Sequence, residues 1–73
     1  MYTLREITED GAKKEYPCQS YEEARKLLDK KAEADKALLL ESDTWAEIKH
    51  GEERYSRVTN ESQKWYILDI VEG

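Results

Sequence analysis

The alternation of hydrophobic and polar positions predicts a hairpin at the start of the chain. Residues 2–8 alternate roughly between apolar or aromatic and polar side chains, which is typical of a half-buried strand. The Asp10-Gly11 pair that follows favours a tight turn, so residues 13–18 are predicted as the second strand. Pro17 lies near the end of that strand, where its missing N–H does least harm.

The strongest local signal is the start of a helix at residue 20. Ser20-Tyr21-Glu22-Glu23 has the spacing of a capping box, in which the Ser20 hydroxyl accepts from the Glu23 N–H while the Glu23 carboxylate accepts from the Ser20 N–H. Apolar side chains then recur at helical spacing, namely Tyr21, Ala24, Leu27, Leu28 and Ala32. The pattern predicts one amphipathic helix at about residues 20–34.

After residue 35 the pattern changes to short runs separated by polar connectors of two to four residues. Such spacing is typical of antiparallel hairpins. The runs are predicted as strands at residues 36–41, 44–49, 54–59 and 64–71. The alternative is a second helix over residues 43–57, which would have to accommodate Gly51 and the strand-favouring Trp, Ile, Tyr and Val of this segment.

Together these elements predict one α+β domain over residues 1–73. An antiparallel sheet of about five to six strands, in ββαββββ order, is expected to pack on the helix. Since one helix cannot cover both faces of such a sheet, one face is expected to be partly solvated. The side chains expected to face the helix are those of Leu4, Tyr16, Leu38, Leu40, Ala46, Ile48, Val58, Tyr66, Leu68 and Ile70.

The opposite face of the sheet is expected to carry an aromatic cluster. Successive side chains of a strand alternate between faces, so Trp45 points outward if Ala46 and Ile48 point to the helix. The same reasoning sends four more side chains outward, those of Tyr55, Arg57, Trp65 and Ile67. Exposed Trp, Tyr and Arg are typical of interface hot spots, and these five residues are the predicted partner-binding site.

A structural role for these aromatic side chains is the alternative interpretation. Aromatic pairs across strands would stiffen the sheet, and burial beneath the connecting loops would make a second small core. A register shift of one residue would also exchange the two faces of the sheet.

The charge balance decides between classes of partner. Twelve Lys and Arg against seventeen Asp and Glu give a net charge of −5. A negative field opposes nonspecific binding to phosphate backbones, so a protein partner is favoured over nucleic acid. A single-strand-binding sheet that combines the aromatics with Arg5, Arg54 and Arg57 is the second hypothesis. A dimerising domain with a self-complementary aromatic face is the third, so the chain is expected to be a monomer or a homodimer.

Imitation of nucleic acid by an acidic rim is a further hypothesis. Six acidic residues lie in or near the turns of the second half of the chain: Glu41, Asp43, Glu47, Glu52, Glu53 and Glu61. Gathered together, they would suit a basic groove of another protein. Interspersed Lys and Arg weaken this pattern, since charged turns usually serve solubility.

Candidate catalytic chemistry is sparse. The chain has one Cys and one His. Cys18 precedes the helix, where the helix N-terminal field can activate a thiol, and His50 lies in a predicted turn. Without a local signature, this pair favours a half-buried Cys and a turn His over catalysis. The spacing matches neither a zinc site nor an EF-hand, so no enzyme activity, metal or cofactor is predicted.

The sequence also predicts a cellular location. A single Cys cannot form an intrachain disulfide, and residues 1–20 contain no apolar stretch of signal-peptide length. Both features predict a cytoplasmic protein. The apolar runs are far shorter than the ~20 residues that a membrane helix needs, so no membrane association is expected.

A resemblance to a known family rests on the opening strand at residues 2–7 (YTLREI), the helix start at residues 20–27 (SYEEARKL) and the Trp-containing C-terminal strands. Together they resemble some phage-encoded anti-CRISPR proteins, in which an antiparallel sheet wraps a single helix. The resemblance implies a stoichiometric inhibitor that acts in the host cytoplasm and blocks target DNA or a conformational step of a CRISPR effector. The sequence predicts a small non-enzymatic protein-binding module, and the resemblance implies its most specific form, a phage or mobile-element inhibitor that sterically blocks a host complex such as a CRISPR effector.

Overall fold

In the computed structural model, which describes all 73 residues, a five-stranded antiparallel sheet carries one helix on one face. The elements are β1 (Tyr2–Ile7), β2 (Lys13–Cys18), α1 (Tyr21–Ser42), β3 (Ala46–His50), β4 (Arg54–Thr59) and β5 (Trp65–Glu72). The order across the sheet is β2-β1-β5-β4-β3, and every neighbouring pair is antiparallel. The predicted α+β class is confirmed, with five strands and one helix.

The β1–β2 hairpin closes through the predicted Asp-Gly turn. Gly11 adopts a φ of +86°, a left-handed conformation that glycine tolerates because it has no Cβ. The Asp10 carboxylate accepts hydrogen bonds from the Thr8 hydroxyl and from the Ala12 N–H. These two bonds hold the turn and lower the pKa of Asp10.

Helix α1 begins at the predicted capping box. The Ser20 hydroxyl accepts from the Glu23 N–H at 3.2 Å. The Glu23 carboxylate reaches one residue further back than predicted and accepts from the Gln19 N–H at 2.9 Å. Two of the backbone donors at this helix end are thereby satisfied. The helix is too polar to cross a lipid bilayer, and the fold contains no other helix.

The helix extends past its predicted end at residue 34 to Ser42, so the strand predicted at residues 36–41 is wrong. Ala and Leu dominate this segment, and both are strong helix formers. The helix stops where Asp43 takes a left-handed φ of 52°, as is common at helix C-termini. The alternative of a second helix over residues 43–57 is also wrong, because β3 and β4 occupy that segment.

The core lies between α1 and the inner face of the sheet, which is the face toward the helix. Its buried cluster consists of Leu4, Leu28, Ala32, Tyr55, Tyr66 and Leu68. Tyr16 and Ile70 pack against it as predicted. Leu38 and Leu40 are instead exposed on α1, and Val58 is exposed on the outer face. Ile48 is on the inner face but remains 39% exposed.

The two edges of the sheet differ in how they are protected. Strand β2 forms one edge and contains Pro17, which has no N–H to offer a further strand. Strand β3 forms the other edge, contains no proline and has four of its five residues exposed. Helix α1 packs mainly on the other four strands and contacts β3 through His50, so β3 is the least covered part of the sheet.

Candidate functional site

The strand register shows which predicted binding residues share a face. Trp65 lies opposite Val58 and Ile67 lies opposite Ser56, and opposed residues of an antiparallel pair point to the same side. All four point to the outer face, away from α1. Trp45 precedes β3 and is 60% exposed. The structure therefore brings three of the five predicted residues to the outer face, namely Trp45, Trp65 and Ile67.

Tyr55 and Arg57, the other two predicted binding residues, point toward the helix, so their outward placement is wrong. Tyr55 is 0% exposed, and its hydroxyl donates to Asp35 at 2.6 Å. The Arg57 Nε donates to both oxygens of the same carboxylate at 3.1 Å. The Arg57 guanidinium also lies 5.5 Å from the centre of the Tyr66 ring. Since successive side chains of β4 point to opposite faces, the Val58 side chain points outward.

A shallow groove of about 610 Å³, called here the outer groove, lies at this end of the sheet; outward residues form most of its lining, and it also borders Arg57 and Thr59 of the inner face. Its apolar lining is Trp45, Val58, Trp65 and Ile67, and its polar lining is Arg54, Ser56, Arg57, Thr59, Asn60 and Gln63. No carboxylate lines it. Arg54 is exposed and makes no ion pair, so the outer groove combines an apolar surface with an unpaired cation.

Aromatic pairing does not account for the two tryptophans. The edge-to-face ring pairs of the protein are Tyr2–Tyr21, His50–Tyr55 and Tyr55–Tyr66. None of them includes Trp45 or Trp65. Of the three aromatic residues in the predicted site, only Tyr55 forms the ring pairs that the alternative interpretation expects, with His50 and Tyr66 on the helix side of the sheet.

A polar cluster lies on the inner face around Glu6. The Tyr66 hydroxyl donates to Glu6 Oε1 at 2.6 Å, and Lys31 Nζ lies 3.5 Å from the same oxygen. Burial disfavours the Glu6 carboxylate, but the bond from Tyr66 and the charge of Lys31 outweigh it, and the pKa of Glu6 is lowered. Burial, together with a carboxylate partner, raises the pKa of both Tyr66 and Tyr55.

This polar cluster borders a cleft of about 700 Å³ beside α1, lined in part by Glu6, Lys31, Asp35 and Arg57. Each of these side chains is already engaged with another one. No buried side-chain nitrogen or oxygen in the protein lacks a hydrogen-bond partner. A fully satisfied network stabilises one arrangement of the core.

Cys18 and His50 do not come together. Cys18 is buried at the end of β2, with its Sγ 3.4 Å from the Tyr16 carbonyl. His50 lies on β3 at the opposite edge of the sheet, where its ring contacts Asp29 and Lys36 at 3.2 Å. No group of three His, Cys, Asp or Glu side chains is placed to hold a metal ion.

The six residues of the predicted acidic rim are all exposed but do not form one rim. Glu41, Asp43 and Glu61 lie at the end of the sheet where α1 stops and β4 turns into β5. Glu52 and Glu53 lie in the β3–β4 turn at the other end. Glu47 lies between them on the outer face of β3.

The outer groove is thus the surface whose composition and exposure point to recognition. Sequence reasoning identified Trp45, Trp65 and Ile67, but it placed Val58 on the inner face and used Arg54 only in the nucleic-acid hypothesis. The signal for both was the alternation of β4 in the opposite phase, which places residues 54, 56 and 58 outward. Comparisons with protein-family models, curated proteins and solved structures find no match for this chain.

Proposed function

We propose that the protein is a non-enzymatic protein-binding module that holds its partner in the outer groove. The main support is the exposure of Trp45 beside Trp65 on a face that no element of the fold covers. Tryptophan and arginine are the residues most enriched in interface hot spots. Leaving a large aromatic surface in water gives up the stabilisation that its burial would provide, so a partner that covers it gains correspondingly.

The lining of the outer groove also indicates the chemistry of the partner. Apolar side chains fill one part of the groove, and Arg54 supplies a cation that forms no ion pair within the protein. A protein surface that presents an apolar side chain next to an Asp or Glu would match both features. Charge complementarity of this kind contributes to specificity and to the rate of association.

A nucleic-acid partner has less support, because two of the three arginines it needs are occupied. Arg5 forms a two-pronged ion pair with Asp69, at 3.1 and 2.8 Å. Arg57 is held by Asp35 on the inner face. Arg54 alone remains, whereas binding of single strands depends on a basic groove around the stacking aromatics.

The more specific role is that of a phage-encoded inhibitor acting on a CRISPR effector in the cytoplasm. It comes from the anti-CRISPR resemblance, and the single Cys is compatible with a reducing compartment. The direct assay adds increasing amounts of the protein to purified CRISPR effectors and follows cleavage of target DNA. Inhibition that saturates at a fixed molar ratio would support the role. Undiminished cleavage by every effector at excess protein would remove it.

The binding proposal is tested with two matched double variants. Trp45→Ala/Trp65→Ala removes both tryptophan side chains from the lining of the outer groove. Leu38→Ala/Leu40→Ala removes two exposed apolar side chains from α1. Both proteins and the wild type are immobilised and exposed to host lysate. Captured proteins and nucleic acids are identified, and affinities are then measured with the purified partner.

The groove variant is expected to lose at least about 2 kcal/mol of binding free energy, or ~30-fold in Kd, while the α1 variant binds as the wild type does. Circular dichroism confirms that both are folded. Equal affinity of the two folded variants would contradict the site. Capture of nucleic acid, with binding that weakens steeply as salt rises, would favour the second hypothesis instead.

A further inference from the structure

Strand β3 presents unpaired backbone groups along the open edge of the sheet. The Gly51 N–H donates to the Arg54 carbonyl at 2.7 Å. Hydrogen-bonded pairs alternate with non-bonded pairs along an antiparallel ladder, so this bond fixes the phase of the β3–β4 hairpin. The bonded pairs are then Lys49–Ser56 and Glu47–Val58. The N–H and C=O groups that face the open edge belong to the residues between them, Ala46, Ile48 and His50.

The other side of β4 gives the same phase independently. Thr59 donates to the Lys64 carbonyl at 2.8 Å, and Ile70 donates to the Glu53 carbonyl at 2.9 Å. These bonds show that the N–H and C=O groups of the odd-numbered residues of β4 face β5, so those of the even-numbered residues face β3. The assignment of the edge-facing groups of β3 therefore rests on two ladders.

The opposite edge is protected in a way that β3 is not. The bond from the Thr8 N–H to the Ala12 carbonyl, at 3.0 Å, sets the phase of the β1–β2 ladder and leaves Lys13, Glu15 and Pro17 facing outward. Proline removes one donor from that edge, and proline on an edge strand is a common defence against pairing. No proline occurs in β3.

The sequence of β3 is complementary to itself in antiparallel pairing. When Ile48 lies opposite Ile48 of a second copy, Glu47 of each chain lies opposite Lys49 of the other. Ala46 then lies opposite His50. In this register every edge-facing residue forms a hydrogen-bonded pair, and opposite charges face each other in the closer, non-bonded pairs.

Neighbouring registers lose this complementarity. Sliding the second copy by two residues keeps the edge-facing groups opposite each other, as a ladder requires. In one direction, however, Glu47 meets Glu47, and in the other Lys49 meets Lys49. Like charges directly opposite each other destabilise a strand pair, so the charges select the register centred on Ile48.

We propose that β3 is a dimerisation edge through which a second copy of this chain extends the sheet. The two β3 strands pair antiparallel about Ile48 and join both sheets into one. Within one chain, Glu47 and Lys49 are exposed and contact each other only at 4.0 Å, so both are free to pair across the edge. This interface uses the edge of the sheet and is independent of the outer groove on its face.

A charge exchange tests the proposed register. The wild type, with a monomer mass of 8.6 kDa, is studied by sedimentation equilibrium beside Lys49→Glu and Glu47→Lys. Each variant places like charges opposite each other, and its dimer Kd is expected to rise about tenfold or more. An equimolar mixture of the two variants restores opposite charges and is expected to form mixed dimers as tightly as the wild type. Circular dichroism confirms that each variant is folded.

A backbone variant tests the edge itself. Ile48→Pro removes an N–H that faces the open edge and spares the bonds between β3 and β4, so it is expected to remain folded and monomeric. A wild type that sediments as a monomer up to millimolar concentration would overturn the proposal. So would charge variants that dimerise as the wild type does. Dimers abolished by Trp45→Ala/Trp65→Ala, but not by Ile48→Pro, would move the interface to the outer groove and also overturn it.

Discussion

The Tyr55 hydroxyl donates a hydrogen bond to Asp35 Oδ2 at 2.6 Å and thereby joins β4 to α1. Both residues are buried. The same carboxylate forms an ion pair with Arg57, two residues further along β4. One carboxylate on the helix thus determines which side chains of β4 point into the core, and Val58 is left for the outer groove.

Replacement of Asp35 should destabilise the protein strongly. Asp35→Ala leaves the Arg57 charge and the Tyr55 hydroxyl without their partner, and breaking a buried ion pair costs about 3–5 kcal/mol. Asp29→Ala is the matched control, because the Asp29 carboxylate is half exposed on the same helix, where an ion pair contributes less than about 1 kcal/mol. Urea unfolding measures both. Equal losses would show that the buried position of Asp35 has no special importance.

Removal of the buried Tyr55 ring should destabilise the protein much more than removal of the exposed Trp45 ring. Tyr55→Ala removes a core ring and should cost about 3–5 kcal/mol, which is close to the whole stability expected of a domain this small, about 3–5 kcal/mol. Trp45→Ala, at an exposed position, should change stability by less than about 1 kcal/mol. Thermal unfolding measures the stability of both variants. Tyr55→Phe is the control, because it keeps the buried ring and removes only the hydroxyl. A Tyr55→Ala protein as stable as Trp45→Ala would contradict the inward orientation.

Stability should fall in alkaline solution because of Tyr55 and Tyr66. Their pKa values are raised above the ordinary 10.0 in the folded protein, so above pH ~10 the unfolded chain loses protons that the folded protein retains. The free energy of unfolding should therefore be unaffected below that pH and decrease by up to about 1.4 kcal/mol per pH unit for each tyrosine above it. Denaturant unfolding at several pH values measures the slope. A Tyr66→Phe variant should show a smaller slope, and an unchanged slope would contradict the assignment.

The helix start offers a milder test. Ser20→Ala removes the acceptor of the Glu23 N–H and should lower the free energy of unfolding by about 1 kcal/mol. Ser20→Asp keeps an acceptor at the same position and should stay within a few tenths of a kcal/mol of the wild type. Chemical denaturation distinguishes the two. If Ser20→Asp loses as much as Ser20→Ala, the capping bond is not the cause.

The parts of the fold that depend on local signals could be predicted from the sequence. The capping box located the start of α1, the Asp10-Gly11 pair located the first turn, and alternation gave β2 and β4 their observed bounds. Each of these signals acts within a few residues, so no knowledge of distant contacts was needed.

The orientation of β4 could not be predicted from hydrophobicity, because a contact with α1 decides it. Valine at position 58 is more hydrophobic than its neighbours, yet Asp35 stabilises Tyr55 and Arg57 on the inner face. A usable signal was present. Asp35 continues the buried stripe formed by Ala24, Leu28 and Ala32 at helical spacing, which marks the helix as longer and the acid as inward-facing. Because this signal was not used, residues 36–41 were predicted as a strand rather than as the last turns of the helix.

The proline on β2 bears on how large any assembly of this protein can become. A chain with two accessible strand edges can add neighbours without end, which is the route to fibrils. If two copies pair through β3 as proposed, the free edges of the two-fold symmetric particle are both β2 strands, and each contains Pro17, which cannot donate to a third chain. The missing N–H of one proline would thus favour a closed dimer over open-ended assembly.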